Sequence, residues 1–81
     1  LKTEGDKAFF MADGNVVYSI KDLPKMIERS DDNTFYHHVN SDRNDFANWI
    51  NDVFSVSDLA NTISGLTTKK DIVKALKSSL K

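Results

Sequence analysis

The chain contains no cysteine, one proline and three glycines. It also has no apolar run approaching the roughly 20 residues needed to span a bilayer. Without cysteine there are no disulfides, no thiolate zinc sites and no thiol nucleophiles. The same absence suits a reducing compartment. The longest apolar stretch, Ala8-Phe9-Phe10-Met11-Ala12, has the length of a strand. No signal-peptide pattern opens the sequence, so a cytoplasmic location and no membrane partner are expected. Gly5, Gly14 and Gly65 are too scattered for a phosphate-cradling loop. There is no Gly-x-Ser-x-Gly nucleophile elbow. The expectation is a protein without catalytic residues or a bound cofactor, and therefore not an enzyme.

What is present describes one folded unit. In 81 residues, 40% are hydrophobic and 28% charged, proportions of an ordinary folded domain rather than a disordered segment. A single domain over residues 1–81 is expected, with 1–6 as a loose polar lead-in. Asp13-Gly14-Asn15 separates the apolar runs 8–12 and 16–19, a strong short-range hairpin signal when the turn is of type I′. Helical signals follow. Ser19 and Asp22 have capping-box spacing before a helix that runs to about Arg29 and carries Leu23, Met26 and Ile27. Ser30, Asp31 and Asn33 offer caps for a short turn bearing Phe35, Tyr36 and Val39, a segment whose pattern also fits an extended strand.

The clearest helix is 42–54, where Phe46, Trp49, Ile50, Val53 and Phe54 follow the i, i+3, i+4, i+7, i+8 template. Ser55 and Asp58 then open a helix lined by Leu59, Ile63 and Leu66 and closed by Gly65. Thr68 and Asp71 cap a last helix over 69–80 with Ile72, Val73, Leu76 and Leu80 on its core face. The expected fold class is α+β and mostly helical: an N-terminal β-hairpin at about 8–19 packed against four to five short α-helices.

Net charge is only −1, but its distribution is uneven. Between Ser30 and Thr62 the acids Asp31, Asp32, Asp42, Asp45, Asp52 and Asp58 face one base, Arg43. From Thr67 onward Lys69, Lys70, Lys74, Lys77 and Lys81 face one acid, Asp71. Lys70, Lys74, Lys77 and Lys81 recur at i, i+4, i+7 and i+11. They form a stripe beside the apolar face that fits contact with nucleic acid or an acidic protein partner. An ordinary solvated helix face has the same pattern.

Two other groups carry possible chemistry. His37 and His38 are adjacent and point in different directions, so metal binding would need one of them to join Asp45 or Asp52. His37, His38 and Asp45 are the candidate metal or small-ligand residues. The bland alternative has one histidine exposed and the other hydrogen-bonded near the Trp49 helix. Asp45 and Asp52 lie two helical turns apart, about 10 Å, too far to share a proton. Asn44 and Asp45 also suit a helix N-terminus, where they would satisfy free N–H groups. An exposed apolar patch for a protein partner would draw on Phe9, Tyr36 or Phe54.

Four segments together carry a resemblance: Phe10-x-x-x-Gly14; Ser19-Ile20-x-Asp22-Leu23; Phe35-Tyr36-His37-His38-Val39-Asn40; and Asn44-Asp45-Phe46-Ala47-Asn48-Trp49-Ile50-x-Asp52-Val53. In these, nearly the whole chain resembles a small domain of unknown function seen mainly in archaeal and some bacterial proteins. Relatives of that domain have been catalogued as predicted metal-binding transcription factors. The resemblance implies a regulatory, transcription-associated role. With no cysteine and two histidines, the chain cannot assemble a zinc-ribbon site.

Overall fold

Two short strands, β1 (Phe9–Phe10) and β2 (Val16–Val17), pair antiparallel with Phe9 opposite Val17 and Phe10 opposite Val16. The computed structural model describes residues 7–79. The expected lead-in at 1–6 and Leu80 lie outside those residues. The hairpin turn differs from the type I′ expectation. Gly14 has φ +93°, while neither Ala12 nor Asp13 has positive φ. The Gly14 N–H donates to the Met11 carbonyl at 2.9 Å, and the Met11 N–H donates to the Asn15 carbonyl at 2.8 Å. That is a three-residue loop in which Gly14 forms the left-handed bulge position. The Asp13 carboxylate accepts from the Asn15 N–H at 2.9 Å and favours the turn locally.

Five helices follow: α1 (Leu23–Arg29), α2 (Asp32–His38), α3 (Asp45–Phe54), α4 (Ser57–Ser64) and α5 (Lys69–Ser79). The fold is therefore α+β and mostly helical, as the periodicities predict. At the start of α1 the Ser19 hydroxyl donates to Asp22 at 2.9 Å and accepts from the Asp22 N–H at 3.3 Å. Pro24 falls in the first turn, where its missing N–H costs nothing. The ambiguous Phe35–Val39 stretch is helical as far as His38 because Asp31 caps it, accepting from the Thr34 N–H at 2.8 Å. This bond, with help from the Thr34 hydroxyl and nearby Lys69, holds the Asp31 carboxyl below its ordinary 3.8, against a smaller opposing effect of desolvation.

Two boundaries move from their expected places. Helix α3 starts at Asp45 rather than Asp42. Val39 and Asn44 form an isolated antiparallel bridge, and the Asn40 N–H donates to the Arg43 carbonyl at 2.9 Å. Residues 40–43 are thereby committed to a tight turn. Ser55, expected to open α4, instead ends α3 in the left-handed conformation at φ +58°. Helix α4 begins after Val56 with no side-chain cap, and Gly65 closes it with φ −87°.

The core joins all the elements. Phe35, Phe46, Leu23, Ile27, Ile50, Ile63, Ile72 and Leu76 are fully buried. Helix α3 packs on α4, and α5 packs on both α1 and α4. Phe9 extends from the hairpin into the aromatic group formed by Phe46 and Trp49, with centroids 5.0 and 5.7 Å away. This contact supplies the cover that a two-stranded hairpin needs in water. Lys69 ties the helices at another point: its ammonium donates to the carbonyl of buried Ser30, between α1 and α2, and lies 3.7 Å from Asp32.

The two left-handed positions should respond oppositely to substitution. A Cβ at Gly14 would meet no atom within 4 Å, so Gly14→Ala costs only conformational energy, about 1 kcal/mol. Ser55→Gly relieves the same kind of strain and should stabilise by a similar or smaller amount. Urea midpoints for the two variants check this, and movement in the same direction would contradict it.

Candidate functional site

His38 occupies the last turn of α2 and is 5% exposed. Its Nε2 accepts the Ala12 backbone N–H at 3.0 Å, and its Nδ1 lies 2.9 Å from the Asp45 carboxylate. A nitrogen that accepts from an amide must be bare. The hydrogen-bond network thus assigns the proton to Nδ1, which donates to Asp45. One imidazole thereby connects the hairpin loop, α2 and the first turn of α3. The ring and Phe9 are T-shaped at 4.9 Å, with Phe46 at 5.5 Å, so aromatic surface flanks the imidazole.

Asp45 has a second partner, Arg43 Nε at 3.3 Å. Arg43 also donates through Nη2 to the His37 carbonyl at 2.9 Å. The carboxylate sits in the first turn of α3, where unpaired N–H groups favour negative charge. Beside it, Asn44 bonds in two directions. Its Oδ1 accepts from the Ala47 N–H at 3.0 Å, and its Nδ2 donates to the Ile63 carbonyl at 2.9 Å. The start of α3 is in this way fastened to the end of α4. Trp49 completes the set by donating its indole N–H to the Lys7 carbonyl at 2.8 Å. Among the described residues, no buried side-chain polar atom lacks a partner.

The candidate metal residues are only partly brought together. His38 and Asp45 touch, whereas His37 is exposed with its ring 5.0 Å from that of His38 and turned by 89°. Asp52 is exposed on the far half of α3. No group of three or more His, Asp or Glu among the described residues is placed to hold an ion. Both nitrogens of His38 are engaged. A metal there would have to displace either the Ala12 amide or the Asp45 carboxylate. A hollow of about 310 Å³ is lined by Asn40, Arg43, Asn48, Ser64, Leu66 and Thr67 among others, but by neither His38 nor Asp45. The Asn40 carboxamide in it is already used, accepting from the Asp42 N–H at 2.9 Å.

The lysine stripe resolves into unlike members. Lys70 and Lys74 are exposed and make no salt bridge among the described residues. Lys77 pairs with Glu28 of α1 at 2.5 Å, and Lys81 lies outside the described residues. Lys69, Lys70, Lys74 and Lys77, with Val73 and Glu28, line an open groove of about 810 Å³ on the α1 side of α5. Sequence reasoning missed Glu28 and the inward turn of Lys69. Both depend on α1 packing against α5, which no local pattern announces.

The exposed aromatics also differ from expectation. Phe9 is buried at 8% exposure, and half-buried Phe54 packs edge-on against Trp49 at 5.1 Å. Tyr36 is exposed as expected, joined by Phe10 and Tyr18. Strand alternation explains the exchange, because Phe9 and Val17 form the inward pair and leave Phe10 outside. No family model, curated protein or solved structure matches the chain.

Substituting His38→Phe keeps an aromatic ring in the box but removes both hydrogen bonds. It should lower unfolding stability by about 1–3 kcal/mol, chiefly by leaving Asp45 and the Ala12 N–H without their partner. Chemical denaturation measures this, and a stability equal to that of the parent protein would show that the link is dispensable.

Proposed function

We propose that this chain is a non-catalytic interaction module whose contact face is the lysine-lined side of α5, presented to an anionic partner, nucleic acid or protein, in a regulatory, transcription-associated setting. The observation that carries this reading is the pair Lys70 and Lys74. They are exposed one turn apart beside the groove and are not neutralised by a neighbouring carboxylate among the described residues. Cations that stay unpaired on a rigid helix keep their attraction for an incoming anion, whereas an internal ion pair such as Lys77–Glu28 spends part of it. The segregation of acids in the middle of the sequence and bases at its end supports the same face. The side chains of His38, Asn44, Asp45 and Trp49 have structural partners, which supports placing recognition elsewhere.

The resemblance to relatives catalogued as predicted transcription factors favours the regulatory setting. The alternative reading, a metal or small ligand held around His37, His38 and Asp45, draws on the His38–Asp45 contact and the hollow beside Arg43. It requires one of the bonds to His38 to open first. No helix among the described residues is long and apolar enough to cross a membrane.

Fluorescence anisotropy with labelled polyglutamate and with a short duplex DNA, both at low salt, tests the module. Binding of at least one polyanion should weaken as salt rises. The double substitution Lys70→Ala/Lys74→Ala should weaken it by about tenfold and reduce the salt slope by about one per lysine. If neither polyanion binds at low salt, or if the double variant binds as tightly as the parent, the reading fails.

A further inference from the structure

We propose that the groove on the α1 side of α5 seats an acidic amphipathic helix of a protein partner; the proposal rests on the α5 contact face described above. The lining residues fall in two neighbouring rows, Lys69-Val73-Lys77 and Lys70-Lys74-Ser78. These are adjacent i±4 ridges, and the furrow between such ridges is the feature into which a second helix packs. The first row is the inner one: Val73 is buried and Lys69 is drawn towards Ser30 and Asp32. Lysine stems beside Val73 add aliphatic surface to the floor. The outer row presents its ammonium groups to solvent.

Spacing and charge select the occupant. Residues four apart on a helix have Cβ atoms about 6 Å apart. Glutamates at i and i+4 on an incoming helix therefore match Lys70 and Lys74, and an apolar side chain on its adjoining row falls over Val73. A phosphate backbone meets a poorer site. The affinity of nucleic acid grows with the number of phosphates neutralised, and two of the four groove lysines are already engaged within the fold, Lys69 and Lys77. The Glu28 carboxylate in the groove wall already pairs with Lys77, so together they offer an incoming phosphate no net charge. Helix α5 has no arginine for bidentate contacts to phosphate or guanine. Glu28 can still tolerate a partner that brings apolar surface to the floor while keeping its carboxylates on the Lys70–Lys74 side.

Three probes separate the possibilities: a synthetic amphipathic peptide with glutamates at i and i+4 and leucines on the adjoining row, polyglutamate of equal charge, and duplex DNA of equal charge. Anisotropy should show the leucine-bearing peptide binding about tenfold or more tighter than polyglutamate, the effect of burying one large apolar side chain. Amide shifts should concentrate at Glu28, Val73, Lys74 and Ser78. Lys74→Glu, on an exposed position and checked for folding by circular dichroism, should abolish peptide binding, and Glu28→Gln should leave it intact or tighter. Equal binding of peptide and polyglutamate, or tighter binding of DNA, would overturn the acidic-helix assignment while leaving the α5 contact face standing. Failure of all three probes would overturn both.

Discussion

The imidazole of His38 is the constraint on which the arrangement of this small fold depends. Its Nε2 holds a backbone amide of the hairpin loop and its Nδ1 holds a carboxylate at the head of α3. The hairpin has two residues per strand and would be marginal alone. It is positioned by this bond, by Phe9 in the aromatic group, and by the indole of Trp49 reaching the Lys7 carbonyl. These links are polar bonds made next to apolar surface, where water competes poorly and an unmade bond is expensive. The same reasoning extends to Asn44, which caps α3 with one end of its amide and grips α4 with the other.

The two ends of the helical region are built differently. In the segment from Phe35 to Ile50, His38, Asn44, Asp45 and Trp49 spend their polar groups on internal bonds. Arg43, Asp45, His38 and the His37 carbonyl form a chain of contacts that fixes the tight turn between α2 and α3. Helix α5 is built differently. Its inner face, Ile72, Val73 and Leu76, is buried, and its outer lysines stay in solvent beside a groove. Under the reading proposed above, Lys70 and Lys74, exposed and without a salt bridge among the described residues, are the charges an anionic partner would meet.

Much of the architecture was legible because it follows short periodicities. The spacing of Phe46, Trp49 and Ile50 placed the central helix and Thr68 with Asp71 the start of α5, whereas Ser19 and Asp22 bond to each other in the turn that precedes α1 at Leu23. The misses occurred where a tertiary contact or one torsion angle decided. The pairing of Val39 with Asn44 withdrew residues 42–44 from α3, and a left-handed Ser55 ended a helix where its side chain suggested a beginning. Of two adjacent phenylalanines, Phe9 turned inward and Phe10 outward, a choice fixed by strand register. For the candidate site, the sequence pointed to His37, His38, Asp45 and the lysine ridge, of which His37 turns away from the His38–Asp45 contact. It did not reveal that Arg43 would share Asp45 or that Glu28 would take up Lys77, because those partners meet only through the packing of separate elements.

The nitrogen-15 spectrum of the His38 ring, recorded at neutral pH before and after addition of zinc, tests most directly the claim that this residue holds the fold. The bonds to Asp45 and Ala12 predict a proton on Nδ1, a bare Nε2 that accepts a hydrogen bond, and resonances that do not move with the metal. A proton found on Nε2, or a His38 signal that shifts as zinc is added, would contradict it.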